Sequence, residues 1–190
     1  SAVEGTLREL AADGAEVRGV RLDVSKEADV ARVLQEIAAT PWPLRGIVHA
    51  AGVLDDGMVP QQTWEKFQRV LGPKVAGTWH LHRLTRGVPL DWLVLFSSAT
   101  SLLGSPGQAN HAAANAFQDA LAPHRRARGW PTLSINWGPW SEIGAAARRD
   151  FGVRVKTKGI GTIAPAKGWR AWTRLGEKLP TQVAVVPVNW

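Results

Sequence analysis

Residues 93–115, LVLFSSATSLLGSPGQANHAAAN, restrict the fold more than any other part of this sequence. The stretch opens on the apolar run Leu93 to Phe96, short and well bounded, as a buried parallel strand is. Two serines, Ser97 and Ser98, end the run. A Gly/Pro/Ser-rich loop follows, then an alanine-rich helix carrying Gln108, Asn110, His111 and Asn115. A small hydroxyl at the carboxyl end of a central strand faces the crevice where open α/β sheets bind ligands. His111 and Asn115 are four apart, so they share one helix face and can enter the same crevice.

The flanking sequence repeats this logic. Ser1 to Gly14 reads as a helix with Val3, Leu7 and Leu10 on one face and a glycine stop. Glu16 to Asp23 alternates Val17, Val20 and Leu22 and is expected as a strand. From Ser25, the run SKEADVARVLQEI spaces Val30, Val33, Leu34 and Ile37 helically, with acids at its start where the helix dipole favours them. Gly46 to His49 is a short buried strand. Gln61 to Arg86 predicts a long helix with Trp64, Phe67, Leu71, Val75, Trp79 and Leu81 inward, kinked at Pro73 beside Lys74. Pro131 to Trp137 is another buried strand, and Trp169, Trp172 and Leu175 mark a short packing helix. Gln182 to Val188 is the last strand. Ser141 to Pro165, polar and rich in Gly and Arg, suits a lid. Strands alternating with helices predict an α/β fold with a parallel sheet and helical crossovers.

Composition narrows the function. No apolar run approaches the ~18 residues of a membrane span, and no signal-peptide pattern opens the chain. The absence of cysteine excludes disulfides and thiolate metal sites and fits a cytoplasmic protein. His80 and His82 lack a third ligand at metal spacing, so no metal is expected. The net charge of +7 suits either attraction to anions or a solvated basic surface. Nucleic acid is not an expected partner, because the basic residues are dispersed without a recognition motif.

Residues 93–115 resemble the active-site stretch of ketoreductase domains from modular polyketide synthases, a branch of the short-chain dehydrogenase/reductase family. In that branch a serine ends the strand and a tyrosine follows 13 residues later within GQxNYAAAN. An asparagine lies four beyond the tyrosine, and a lysine 24 before the serine. The corresponding positions here are Ser98, His111, Asn115 and Lys74. Every spacing agrees, but histidine replaces the tyrosine, and this chain contains no tyrosine. The resemblance implies catalytic roles for these four. It implies an NADPH site lined by Asp23, Val24, His49, Ala50, Ala51, Gly52, Lys74, Gly138 and Pro139. Taken alone, Asp23 equally suits a turn or helix cap. Leu54, Asp55 and Asp56 match the LDD fingerprint of B-type domains, and Leu103 stands where A-type domains carry tryptophan. With Gln108 these residues are expected around the substrate, although Asp-Asp-Gly is also an ordinary turn.

A complete reductase of this kind begins with a strand, a TGxxGxxG turn and a helix that hold the pyrophosphate. No such turn occurs in these 190 residues, and GSPG at 104–107 lies elsewhere. The expectation is therefore one domain over residues 1–190: a Rossmann-like, doubly wound parallel sheet, N-terminally incomplete, with weakened NADPH binding. The implied reaction is NADPH-dependent reduction of a β-ketoacyl thioester to the β-hydroxyacyl form. The substrate would ride on the phosphopantetheine arm of an acyl carrier protein, beside adjacent synthase domains. A neutral imidazole is a poor proton donor, and its nitrogen stops about 2 Å short of a phenol oxygen, beyond the ~0.5 Å tolerance of a working site. An inactive or impaired ketoreductase is expected. The alternatives are a working reductase or epimerase using His111 or water as acid, and a scaffold that is structural or docks acyl carrier protein.

Overall fold

The computed structural model describes residues 2–144 and 159–189. Its centre is a four-stranded, wholly parallel sheet of β1 (Gly46–His49), β2 (Trp92–Ser98), β3 (Thr132–Trp137) and β4 (Gln182–Val185), in that order. Helices α1 (Ala2–Ala12) and α2 (Glu27–Ala38) precede β1. Helices α3 (Trp64–Leu71) and α4 (Gly77–Leu84) connect β1 to β2, and α5 (Thr100–Leu103) and α6 (Ala109–Arg126) connect β2 to β3. Helix α7 (Pro165–Lys178) leads into β4.

The pleat sorts the side chains onto two covered faces. Trp92, Val94 and Phe96 of β2 and Leu133, Ile135 and Trp137 of β3 pack with Trp172 and Leu175 of α7. The opposite face of β3 carries Thr132, Ser134 and Asn136, all fully buried and bonded to side chains of α6. Helices on both faces make the sheet doubly wound, as expected of a Rossmann-like fold.

Three sequence expectations need correction. Residues 16–23 form no strand: no described strand lies beside them to share a ladder, and Val20 and Leu22 stay exposed. The helix expected from Gln61 to Arg86 is two α segments joined by a π turn at Gly72–Ala76. Pro73 has no N–H, so the backbone re-registers, and Gly77 N–H donates to Gly72 C=O five residues back. The inward stripe is Val70, Lys74, Thr78, Leu81, His82 and Thr85, whereas Trp64 is 63% exposed. Small residues set this face, because Gly77 lies against Val24 where a Cβ would meet it at 2.9 Å. Finally, β4 stops at Val185, and Val188 forms only an isolated bridge to Ile160.

Helix α7 gives a test of packing against propensity. A Cβ at Gly168 would sit 2.2 Å from the Trp140 ring. Alanine would gain ~1 kcal/mol as a helix former, but overpacking costs about 1–3 kcal/mol. Gly168→Ala is therefore expected to lower Tm by up to about 8 °C in a thermal melt. A Tm at or above the parent's would show that Trp140 yields freely.

Candidate active site

The carboxyl end of β2 delivers Ser97 and Ser98, the two residues by which the strand outruns the apolar run Leu93 to Phe96. The ladder continues through Ala99 N–H to Trp137 C=O at 2.9 Å, so the turn after Ser98 is held to β3. Ser98 Oγ accepts hydrogen bonds from Thr100 N–H (3.2 Å) and Thr100 Oγ1 (2.9 Å). Helix α5 closes this turn, where the sequence predicts a loop.

Lys74 reaches the same strand from the π turn. It is 6% exposed, and its Nζ donates to Phe96 C=O, two residues before Ser98, and to Gln118 Oε1 at 3.4 Å. Its stem crosses Gly52, where a Cβ would lie 2.9 Å from Lys74 Cε. The glycine of HAAG thus makes room for the lysine. His49, buried at the end of β1, lies 3.0 Å from Pro73 C=O through Nε2. Since the carbonyl only accepts, Nε2 carries the hydrogen, and the bond ties β1 to the π turn. Burial lowers Lys74 to about 8, with Asp119 opposing that shift.

Helix α6 supplies the remaining groups. Asn110 Oδ1 accepts from His111 N–H at 2.7 Å, and Asn110 Nδ2 donates to Asp55 C=O at 2.8 Å. Asn115 Nδ2 turns back to His111 C=O at 2.7 Å. Asn115 Oδ1 and His111 Nδ1 are buried without a partner, leaving an acceptor and a ring nitrogen unsatisfied one helical turn apart. Burial and then the nearby Lys74 push His111 down to about 4, with Asp56 opposing. The same two causes, in the same order, lower His49 to about 4.

The residues expected around the substrate form one knit loop. Gln108 Nε2 donates to both Asp56 carboxylate oxygens at 3.3 Å. Asp55 pairs with Arg69 at 2.5 Å and Lys66 at 3.7 Å, and Gly57 N–H donates to Gly107 C=O at 2.9 Å. Leu54 is half-buried here, while Leu103 is 62% exposed on α5. The Asp-Asp-Gly segment is irregular chain, not a turn, and its carboxylates are held by side chains.

The remaining expected cofactor residues divide. Ala50, Ala51 and Gly52 are exposed at the carboxyl edge of the sheet. Gly138 N–H donates to Val185 C=O at 2.9 Å, and Pro139 C=O accepts from Ile163 N–H at 2.8 Å, at the matching end of β3. Asp23 Oδ1 accepts from Ser25 N–H (3.0 Å) and Ser25 Oγ (2.7 Å), bonds that hold this exposed carboxyl below its usual range. Val24 packs on Gly77. Most of the segment expected as a lid, residues 145–158, lies outside the described residues.

Sequence reasoning missed Gln118, Asp119, Ser101 and Asn136. Asp119 is four beyond Asn115, on its face of α6, and TLSINW alternates polar and apolar residues. Both signals were present in the sequence.

Comparison with known proteins bears on the family and the fold. The KR domain family matches residues 1–142. The chain is 48% identical over 137 residues to mycoketide-CoA synthase of Mycobacterium tuberculosis (strain ATCC 25618 / H37Rv), covering 72% of this chain and 3% of that protein. It is 44% identical over 169 residues to polyketide synthase GfsB of Streptomyces halstedii, covering 87% of this chain and 3% of that protein. It therefore spans only a small part of these relatives. An A-type ketoreductase structure from a modular polyketide synthase superposes with a TM-score of 0.93 at 34% identity, over 98% of this chain and 39% of that one. A ketoreductase domain from the bacillaene assembly line gives 0.89 at 36% identity, over 96% and 46%.

Proposed function

This chain belongs to the ketoreductase (KR) domain family of modular polyketide synthases, and from that premise we propose that it is a ketoreductase-type domain impaired at proton transfer. The observation that supports the reading is His111, at the position where the family pattern carries the acid: it is half-buried, its Nδ1 has no partner, and burial and then Lys74 disfavour its charged form. With its value near 4, only about one His111 in a thousand carries the donor proton at pH 7. The family reaction is reduction of a β-ketoacyl thioester, carried by acyl carrier protein, to the β-hydroxyacyl thioester. NADPH, when bound, supplies the hydride.

The residues fit one half of that cofactor better than the other. Unsatisfied Asn115 Oδ1, the exposed Ala50–Gly52 backbone, Lys74, Gly138 and Pro139 suit the nicotinamide and ribose side. On the adenine side Asp23 is already engaged by Ser25. Ser98 would orient the substrate oxygen, Lys74 would hold positive charge beneath the acid, and Asn115 would hold a water. Asp56, Gln108, Leu54 and Leu103 would border the acyl chain, and the LDD pattern favours the B-type stereochemical course.

The test pairs NADPH fluorescence with reduction of a β-ketoacyl thioester by the unaltered chain. Reduction at background is expected, with weak cofactor binding. Turnover at the rate of an ordinary enzyme, about 1 s⁻¹ or faster, would overturn the impaired reading and favour His111 or water as acid.

A further inference from the structure

The buried lysine of the site is held by a side chain that carries no charge. Gln118 of α6 is fully buried, one helical turn beyond Asn115 and on the same helix face. Its Oε1 accepts from Lys74 Nζ at 3.4 Å, and its Nε2 donates to Thr78 Oγ1 at 3.0 Å. Thr78, also fully buried, donates its own hydroxyl hydrogen to Lys74 C=O, one turn back. These three bonds close a ring that leaves Lys74 at its carbonyl and returns at its ammonium. Donors and acceptors run in one direction around it, and the reversed amide would set an NH₂ group against the ammonium. Phe96 C=O takes a second ammonium hydrogen, so the head of Lys74 is fixed from both β2 and α6.

We propose that Gln118 is a positioning residue: its amide, oriented by Thr78, holds the Lys74 ammonium against β2 without cancelling its charge. The proposal rests on the reading above, in which Lys74 serves the site. A lysine ammonium sits on a flexible four-carbon stem, and one backbone carbonyl fixes it at a single point. The amide supplies a second point from a different element. Its chemistry is selective. A carboxylate in the same place would hold the ammonium more strongly but pair its charge, and position 111 would lose the cation that favours an ionised donor there. A hydrocarbon side chain would leave a buried ammonium hydrogen short of an acceptor. Glutamine gives the acceptor and leaves the charge.

The experiment is the titration of Lys74, followed by NMR of lysine labelled at Cε in the 190-residue chain and assigned with Lys74→Arg. Gln118→Leu keeps much of the bulk and removes the acceptor. It is expected to lower the Lys74 midpoint by about one pH unit, the size of a hydrogen bond to a charged group. Gln118→Glu sets a carboxylate where the amide stood and is expected to raise the midpoint by about one unit or more. Thr85→Val is the control: it removes a buried hydroxyl bond of the same kind, from Thr85 Oγ1 to Leu81 C=O at 2.6 Å, outside the ring. It should leave the midpoint in place. The other titratable groups around Lys74, His49 of β1 and His111 and Asp119 of α6, are unchanged in all three variants. If Gln118→Leu fails to fold, Gln118→Glu carries the test. A midpoint unmoved in Gln118→Leu, not raised in Gln118→Glu, or moved equally in Thr85→Val would overturn the proposal. The readout needs neither NADPH nor substrate, so failure of the reductase reading would appear separately, in the turnover assay.

Discussion

In a synthase module that carries the whole NADPH site, replacing His111 with tyrosine is expected to raise reduction of a β-ketoacyl thioester by ~10²-fold or more, the usual contribution of a general acid. Position 111 is already prepared for a donor. Its backbone N–H is fixed by Asn110 Oδ1, and Asn110 is fixed in turn by Asp55 C=O. Lys74 is buried close by, and at about 8 its ammonium remains largely charged at neutral pH. A phenol there would meet a cation that favours its ionised form, lowering its pKa from near 10. Histidine fares oppositely: burial first, and then repulsion by the same cation, disfavour its charged donor form. The site that would activate a tyrosine therefore disfavours a charged histidine. NADPH consumption and hydroxy product should rise together in the variant, with B-type stereochemistry because Leu54, Asp55, Asp56 and Leu103 are unchanged. A variant that binds NADPH yet stays silent would place the defect in the substrate channel instead.

What the sequence made legible follows the strength of its local signals. The apolar run before Ser97 and Ser98 and the helix carrying His111 and Asn115 were readable, because a short bounded run and a helical spacing each dictate one geometry. Lys74 was readable only through its spacing in the family pattern, since a lone lysine on a helix carries no local mark of burial. The inward stripe of α3 and α4 was misread for a physical reason. Apolar periodicity points to Trp64 and Trp79, but the helix packs through Gly77 and Thr78, whose small size allows close approach to Val24. The contact of Asp119 with Asn136 was hidden by the opposite problem. Polar residues alternating along a strand suggest a solvated face, whereas here each is buried with a partner from α6. Residues 16–23 alternate like a strand, yet a strand exists only with a neighbour to share its ladder.

The chain is also expected to lose stability steeply as pH falls from about 6.5 to about 4, because His49, His82 and His111 are all held near 4 in the folded state against an unfolded value near 6.5. His82 shows the cause most directly. It is 1% exposed, with Arg125 Nη1 at 3.1 Å from Nδ1 and Arg86 Nη2 at 3.3 Å from Nε2. A neutral ring has one acceptor nitrogen, and the buried Arg125, also bonded to Thr132 Oγ1 at 2.9 Å, claims it. Burial is the larger cause of the lowered value; Arg125, Arg86, His124 and Arg128 add repulsion. Between about pH 4 and 6.5 the unfolded chain binds protons that the folded chain refuses, so stability rises with pH across that window and is lost below it. Each histidine adds a slope of up to about 1.4 kcal/mol per pH unit, so the three together give roughly 4 at most. Urea unfolding at about pH 4.5, 5.5, 6.5 and 7.5 measures this slope. His82→Gln keeps an acceptor for Arg125 but cannot titrate, and should reduce proton uptake on unfolding by about one. Stability that stays flat from pH 6.5 to about 4.5 would mean that these rings are protonated in place, with Arg86 and Arg125 swung away to admit the charge.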